Sequence, residues 1–75
     1  MRGDLRDAVG QRVRDLRLKL GISQEELAER AALHRNYVGG VERGERDIGI
    51  IALGQLVKAL GLSLAEFFGP FRQRP

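Results

Sequence analysis

GISQEELAERAALHRNYVGGVERG, residues 21–44, holds two helix-sized segments with almost nothing between them. Ser23 precedes Glu26 by three positions, the spacing at which a cap hydroxyl and a reaching carboxylate satisfy each other's backbone N–H groups. Glu25 and Glu26 fall in the first turn, where the positive end of the helix dipole favours acid. Leu27, Ala28 and Ala31 supply an inner face at helical spacing. Ala32-Leu33 makes a short turn, and a second helical segment runs from His34 to Gly44. A link of about three or four residues suits a helix-turn-helix arrangement.

The second segment carries Gly39 and Gly40 side by side. Each costs about 1 kcal/mol in a helix relative to Ala, so something must offset roughly 2 kcal/mol. At about 100° per residue with Val38 at zero, His34 and Val41 face the core. Asn36, Arg43, Gly39 and Gly40 fall on the opposite side, between about 100° and 200°. Arg35 and Tyr37 lie on the flanks. The exposed face then has long polar side chains at its ends and nothing between them. A helix entering a DNA major groove must bring its backbone close to base edges, and the glycine pair reads as a gap cleared for that approach. Arg suits guanine O6 and N7, and Asn suits adenine N6 and N7, so Arg35 and Asn36 are the base-reading candidates. The competing use of the glycines is close packing against another helix.

Outward from this pair the chain reads as further short helices. Asp4 caps a first helix whose stripe is Leu5, Val9, Val13, Leu16 and Leu20, ended by Gly21. A fourth has the apolar arc Ile50, Leu53, Leu56, Val57 and Leu60, closed by Gly61. Ser63 and Glu66 form a second capping box for a fifth helix holding Leu64, Phe67 and Phe68. No segment alternates with period two for long enough to be a strand. The expected fold is a compact all-α domain of five helices over residues 1–69, with 70–75 as a frayed tail after Gly69-Pro70.

Composition narrows the function classes. Seventy-five residues suffice for one small, marginally stable domain. There is no cysteine and a single histidine, His34, so neither disulfides nor a metal site is expected, and no cofactor. The absence of cysteine fits a reducing compartment, and a cytoplasmic, nucleoid-associated location is expected. No apolar run is long enough for a membrane span, and no secretory signal is visible at the start. Net charge is +3, with six basic against three acidic residues over 1–19 and three glutamates against one arginine over 23–31. By charge alone, nucleic acid and a solvated surface of mixed sign stand about level. An enzyme is disfavoured, since no cysteine, no second histidine and no spaced carboxylate pair in a plausible cleft is present.

GISQEELAERAALHRNYVGGVERG resembles the helix-turn-helix of the Xre family, which includes the phage lambda-type repressors and Cro. The resemblance continues through ALGQLVKALGLSLAEFF, and LHRNYVGGVERGERD is especially similar to the controller proteins of restriction–modification systems. It implies a lambda-repressor-like DNA-binding domain acting as a transcriptional regulator, such as a repressor. It implies base reading by Arg35 and Asn36. It implies backbone or flanking contacts by Gln24, Tyr37, Arg43 and Arg46. It also pairs Glu42 with Arg17 as an architectural ion pair. Each role has a plainer rival. Gln24 is a good first-turn residue in any helix, Tyr37 could pack flat on the second helix, and Arg46 could be a solvated loop charge.

Some positions depart from the family pattern. Asp47 stands where many relatives have Asn. Ile48 and Gly49 replace the usual Pro and Ser or Thr, so the fourth helix is weakly capped. Ile51, Leu64, Phe68 and Phe71 are more apolar surface than so small a monomer needs, and they are the candidate two-fold dimer interface, although some could fill the core instead. The expected partners are double-stranded DNA and a second copy of the chain, with no membrane and no small-molecule ligand. A protein-interaction adaptor or an antitoxin component built on the same fold is the alternative.

Overall fold

The computed structural model describes residues 4–71. Within them the chain forms α1 (Leu5–Leu20), α2 (Gln24–Ala31), α3 (Arg35–Glu42), α4 (Ile50–Ala59) and α5 (Leu64–Phe68), and no strand. The expected all-α, five-helix architecture is therefore the one observed. Most ends are set by local chemistry. The Asp4 carboxylate accepts the N–H groups of Arg6 and Asp7, starting α1. The Arg6 guanidinium, bonded to the same carboxylate at 2.7 Å, holds the Asp4 carboxyl below its ordinary value. Ser63 and Glu66 make the reciprocal capping box. At α2 only half of the expected box forms. Ser23 accepts from the Glu26 N–H, but the Glu26 carboxylate takes Arg30 at 2.7 Å instead. Gly49 gives α4 no side-chain cap, as its sequence implied.

Four helices stop in the same way. Gly21, Ala32, Gly44 and Gly61 all have positive φ. After each, the next residue's N–H reaches back five positions: Ile22 to Arg17 O, Leu33 to Ala28 O, Glu45 to Gly40 O and Leu62 to Val57 O. This is the left-handed helix stop that satisfies the orphan carbonyls. Ala32 is the exception in residue type, an L-residue at φ 59 where glycine is usual. It holds the tight turn between α2 and α3.

The core consists of Val9, Val13, Ile22, Leu27, Ala28, Ala31, Val38, Val41, Leu56, Val57, Leu60 and Phe67. Three expectations at its margins are corrected. Leu5 and Leu20 are exposed, because sixteen residues of α1 span ~24 Å and overrun the eight-residue α3 packed against it. Ile50 is 76% exposed rather than part of the inner arc, because the core meets α4 only from Leu53 onward. Phe71, assigned to the tail, packs instead against Phe67 and Phe68, and its N–H bonds Phe68 O at 2.8 Å. Residues 72–75 of that expected tail lie outside the described residues.

One close approach joins α1 and α3. A methyl group built on Gly10 would lie 2.2 Å from Val41 O and 2.9 Å from Glu42 O. Here α1 lies directly on the backbone of α3, at the end of α3 that carries Glu42.

Candidate nucleic-acid interface

The position of α3 is set by a buried polar cluster. Arg17 and Glu42 are 7% and 8% exposed. Arg17 Nε donates to Glu42 Oε2 at 2.7 Å and Nη2 to Oε1 at 3.0 Å, a bidentate pair. The remaining nitrogen, Nη1, donates to Ile22 O at 2.9 Å. Gln24 Nε2 completes the carboxylate's set by donating to Oε1 at 2.9 Å. The cluster thus joins α1, the α1–α2 turn, α2 and α3. No buried side-chain nitrogen or oxygen among the described residues lacks a partner. Two charges out of water are tolerable only with such complete pairing. The architectural pair read from the sequence is present; its bond to Gln24 was not foreseen. Gln24 therefore has an internal role, its amide nitrogen turned towards Glu42.

Arg35 and Asn36 stand in the first turn of α3 and are exposed. His34 was placed on the core side but is exposed and caps the helix, its Nδ1 accepting the Asn36 N–H at 3.0 Å. An imidazole in this role replaces the usual Ser, Asn or Asp. Its position just ahead of the first helical turn, off the regular wheel, explains the misplacement. Arg35 Nη1 lies 3.4 Å from Glu25 Oε2, and Arg43 Nε lies 3.1 Å from Glu45 Oε1. All four side chains are more than half exposed. Such pairs contribute under about 1 kcal/mol and exchange readily for another anion. Gln24, Glu25, Arg35, Asn36, Gly39 and Arg43 line one open cleft between α2 and α3.

The two glycines lie away from Val38 and Val41, as the wheel places them, yet both are buried. The space above them is filled by the protein itself. Gly39 lies under Arg43 and Gln24, and Gly40 under Arg46. The Arg46 guanidinium carbon stands 5.4 Å from the centre of the Tyr37 ring. Tyr37 is partly buried against the core. The empty mid-helix surface expected from the sequence is thus corrected. A helical wheel places side chains of the helix itself and cannot register those folded over it from a neighbouring helix or loop.

The apolar candidates separate into two kinds. Ile51 is 77% exposed and Leu64 is exposed in the first turn of α5. Phe68 and Phe71 are partly buried against the core. Phe68 faces a groove of about 150 Å³ that Leu5, Val9, Val41, Ile48 and Leu53 also line. Arg12 holds α5 in place: Nε donates to Phe67 O at 2.8 Å and Nη2 to Glu66 O at 3.0 Å. Nothing in its spacing announces this, since its partners lie more than fifty residues away. Among the described residues no cluster could hold a metal ion, and no helix is long and apolar enough to cross a membrane.

Residues 13–67 match the helix-turn-helix family model (HTH_3). Control protein C.SmaI of Serratia marcescens is 43% identical over 63 residues, covering 84% of this chain and 75% of its own. The restriction–modification controller protein C.AhdI of Aeromonas hydrophila superposes with a TM-score of 0.81 at 44% identity, over 84% of this chain and 96% of that one. The controller C.Esp1396I, solved as a tetramer in complex with its natural 35 base-pair operator, gives a TM-score of 0.86 at 33% identity, over 92% and 91%. With Arg35 and Asn36 at the exposed start of its second motif helix and Arg17–Glu42 locking that helix from behind, the chain belongs to the Xre-like helix-turn-helix family of transcriptional regulators, among which restriction–modification controller proteins are its homologues.

Proposed function

We propose that this protein is a sequence-specific DNA-binding regulator of the controller type, acting on a pseudo-palindromic operator as a homodimer. The observation that carries the reading is the exposed pair Arg35–Asn36 in the first turn of α3, a helix held by the buried Arg17–Glu42 pair and the half-buried Gln24. A rigid helix presenting an Arg and an Asn at its start meets the geometry of major-groove readout. Arg43 and Arg46, at the other end of α3 and in the loop after it, supply charge for phosphates and flanking bases. Tyr37 stands between the two groups. Gln24 sits at the start of α2, where a phosphate can approach the helix N-terminus. The operator-bound C.Esp1396I tetramer supports DNA as the partner.

Two copies joined through α4 and α5, with Ile51 and Leu64 at the contact, would present two α3 helices to half-sites about one helical turn apart, ~34 Å. Selection from a random duplex pool, followed by gel shift, tests the reading. A two-fold motif bound far above bulk DNA is expected, with affinity falling steeply as salt rises. Recovery of no motif, or binding indifferent to Arg35→Ala and Asn36→Ala, overturns it.

A further inference from the structure

We infer that Gly40 is a positioning residue for Arg46: its missing side chain is the floor on which Arg46 crosses α3 to reach the Tyr37 ring. A methyl group at Gly40 would lie 2.8 Å from Arg46 Cγ, 3.2 Å from Nε and 3.5 Å from Cδ. The arginine stem therefore runs along bare helix backbone from its second carbon onward, and its guanidinium ends 5.4 Å from the Tyr37 ring centre. Tyr37 and Gly40 are i and i+3, neighbours on one helix surface. The loop returns over Gly40 because Gly44 takes φ 74, Gly44 N–H bonds Val41 O at 3.0 Å and Glu45 N–H bonds Gly40 O at 2.9 Å. Arg46 thus starts almost above the glycine.

The two glycines differ in what they permit. Above Gly39 the nearest atoms are Arg43 Nη1 at 3.1 Å and Gln24 Oε1 at 3.3 Å, the far ends of flexible chains. Above Gly40 the nearest atom is Arg46 Cγ, near the root of the side chain, so clearing a methyl requires turning the whole arginine about χ1 rather than moving its tip. Gly40 therefore selects one arrangement of Arg46, and the cation–π contact with Tyr37 holds it there. On the proposed DNA-binding reading, on which this role rests, the guanidinium and ring reach the duplex already ordered as one unit. Less side-chain freedom is then lost on binding.

The test uses the whole chain and a duplex selected from random DNA by the wild type. Tyr37 is the one tyrosine and there is no tryptophan, but Phe68 lines a groove that Arg46 also lines, so loss of the shifts in Tyr37→Leu is the control that assigns them to the Tyr37 ring. In the wild type the Arg46 side-chain protons show upfield ring-current shifts by NMR. In Gly40→Ala the Tm holds or rises, the shifts collapse, and affinity for the selected duplex falls about tenfold. Gly39→Ala keeps the shifts. In an Arg46→Ala background, Gly40→Ala has no further effect on affinity. If Gly40→Ala alone does not fold, adding Arg46→Ala restores folding. Unchanged Arg46 shifts in Gly40→Ala overturn the proposal. So does wild-type affinity in Gly40→Ala, an equal loss with Arg46 already removed, or no rescue by Arg46→Ala. Should the wild type select no duplex, the DNA reading fails while the NMR comparison still decides the positioning role.

Discussion

At the scale of single residues, Glu42 ties α3 to two other helices. It accepts three hydrogen bonds from two other helices, at 2.7, 2.9 and 3.0 Å. Glu42→Ala leaves the Arg17 guanidinium buried with only Ile22 O as partner. A stability loss of roughly 3 kcal/mol is expected, read as a fall in Tm of roughly 15 °C for a domain this small. Arg17→Met with Glu42→Leu should recover much of that loss, because no unpaired charge remains. Calorimetry showing Glu42→Ala within 2 °C of wild type, a threshold well under ~1 kcal/mol, would contradict this account. This pair was legible in the sequence through the family resemblance. The third partner was not, since Gln24 points at Glu42 only once α2 and α3 are docked.

At the scale of elements, two small residues act in opposite senses. Gly10 allows α1 to lie on the α3 backbone, with a built methyl 2.2 Å from Val41 O. Gly10→Ala must push the helices apart, and since the obstacle is backbone rather than a movable side chain, a loss of about 3 kcal/mol is expected. Ala32 stands at φ 59, where an L-residue is strained by roughly 1–2 kcal/mol. Ala32→Gly relieves that strain but adds about 0.5–1 kcal/mol of unfolded-state entropy. The net should be a gain of roughly 0.5 kcal/mol, visible as a small rise in the urea midpoint with unchanged slope. A fall in the Ala32→Gly midpoint, or a folded Gly10→Ala at wild-type stability, would refute the respective argument. A lone glycine between Val9 and Val13 on the apolar stripe was the available sign of a close helix crossing. Which helix crosses there was not written in the spacing.

At the scale of the whole molecule, the proposed dimer turns on the exposed isoleucines at the start of α4. Ile50 and Ile51 are 76% and 77% exposed, next to a helix start without a side-chain cap. Ile51→Glu puts a charge at the proposed contact while leaving the core of Leu56, Val57 and Phe67 untouched. Sedimentation should show the wild type as a dimer and Ile51→Glu as a monomer. Binding to the two-fold duplex should weaken by at least about 100-fold, because one α3 helix must then act without the linked second one. A variant that remains dimeric places the interface elsewhere.

Local chemistry determined the number of helices, most of their caps and stops and the exposed Arg35–Asn36 pair, because capping and left-handed stops depend on neighbours a few residues apart. Periodicity determined most of the core for the same reason. Only the tertiary structure decided what covers the glycine pair, which apolar residues stay in water, and how α5 is held, because those depend on contacts between residues distant in the chain. Arg46 comes back over Gly40 through the turn at Gly44, and Arg12 reaches Phe67 across the molecule. A helical wheel describes one helix in isolation, and the surface of α3 is shared with its neighbours.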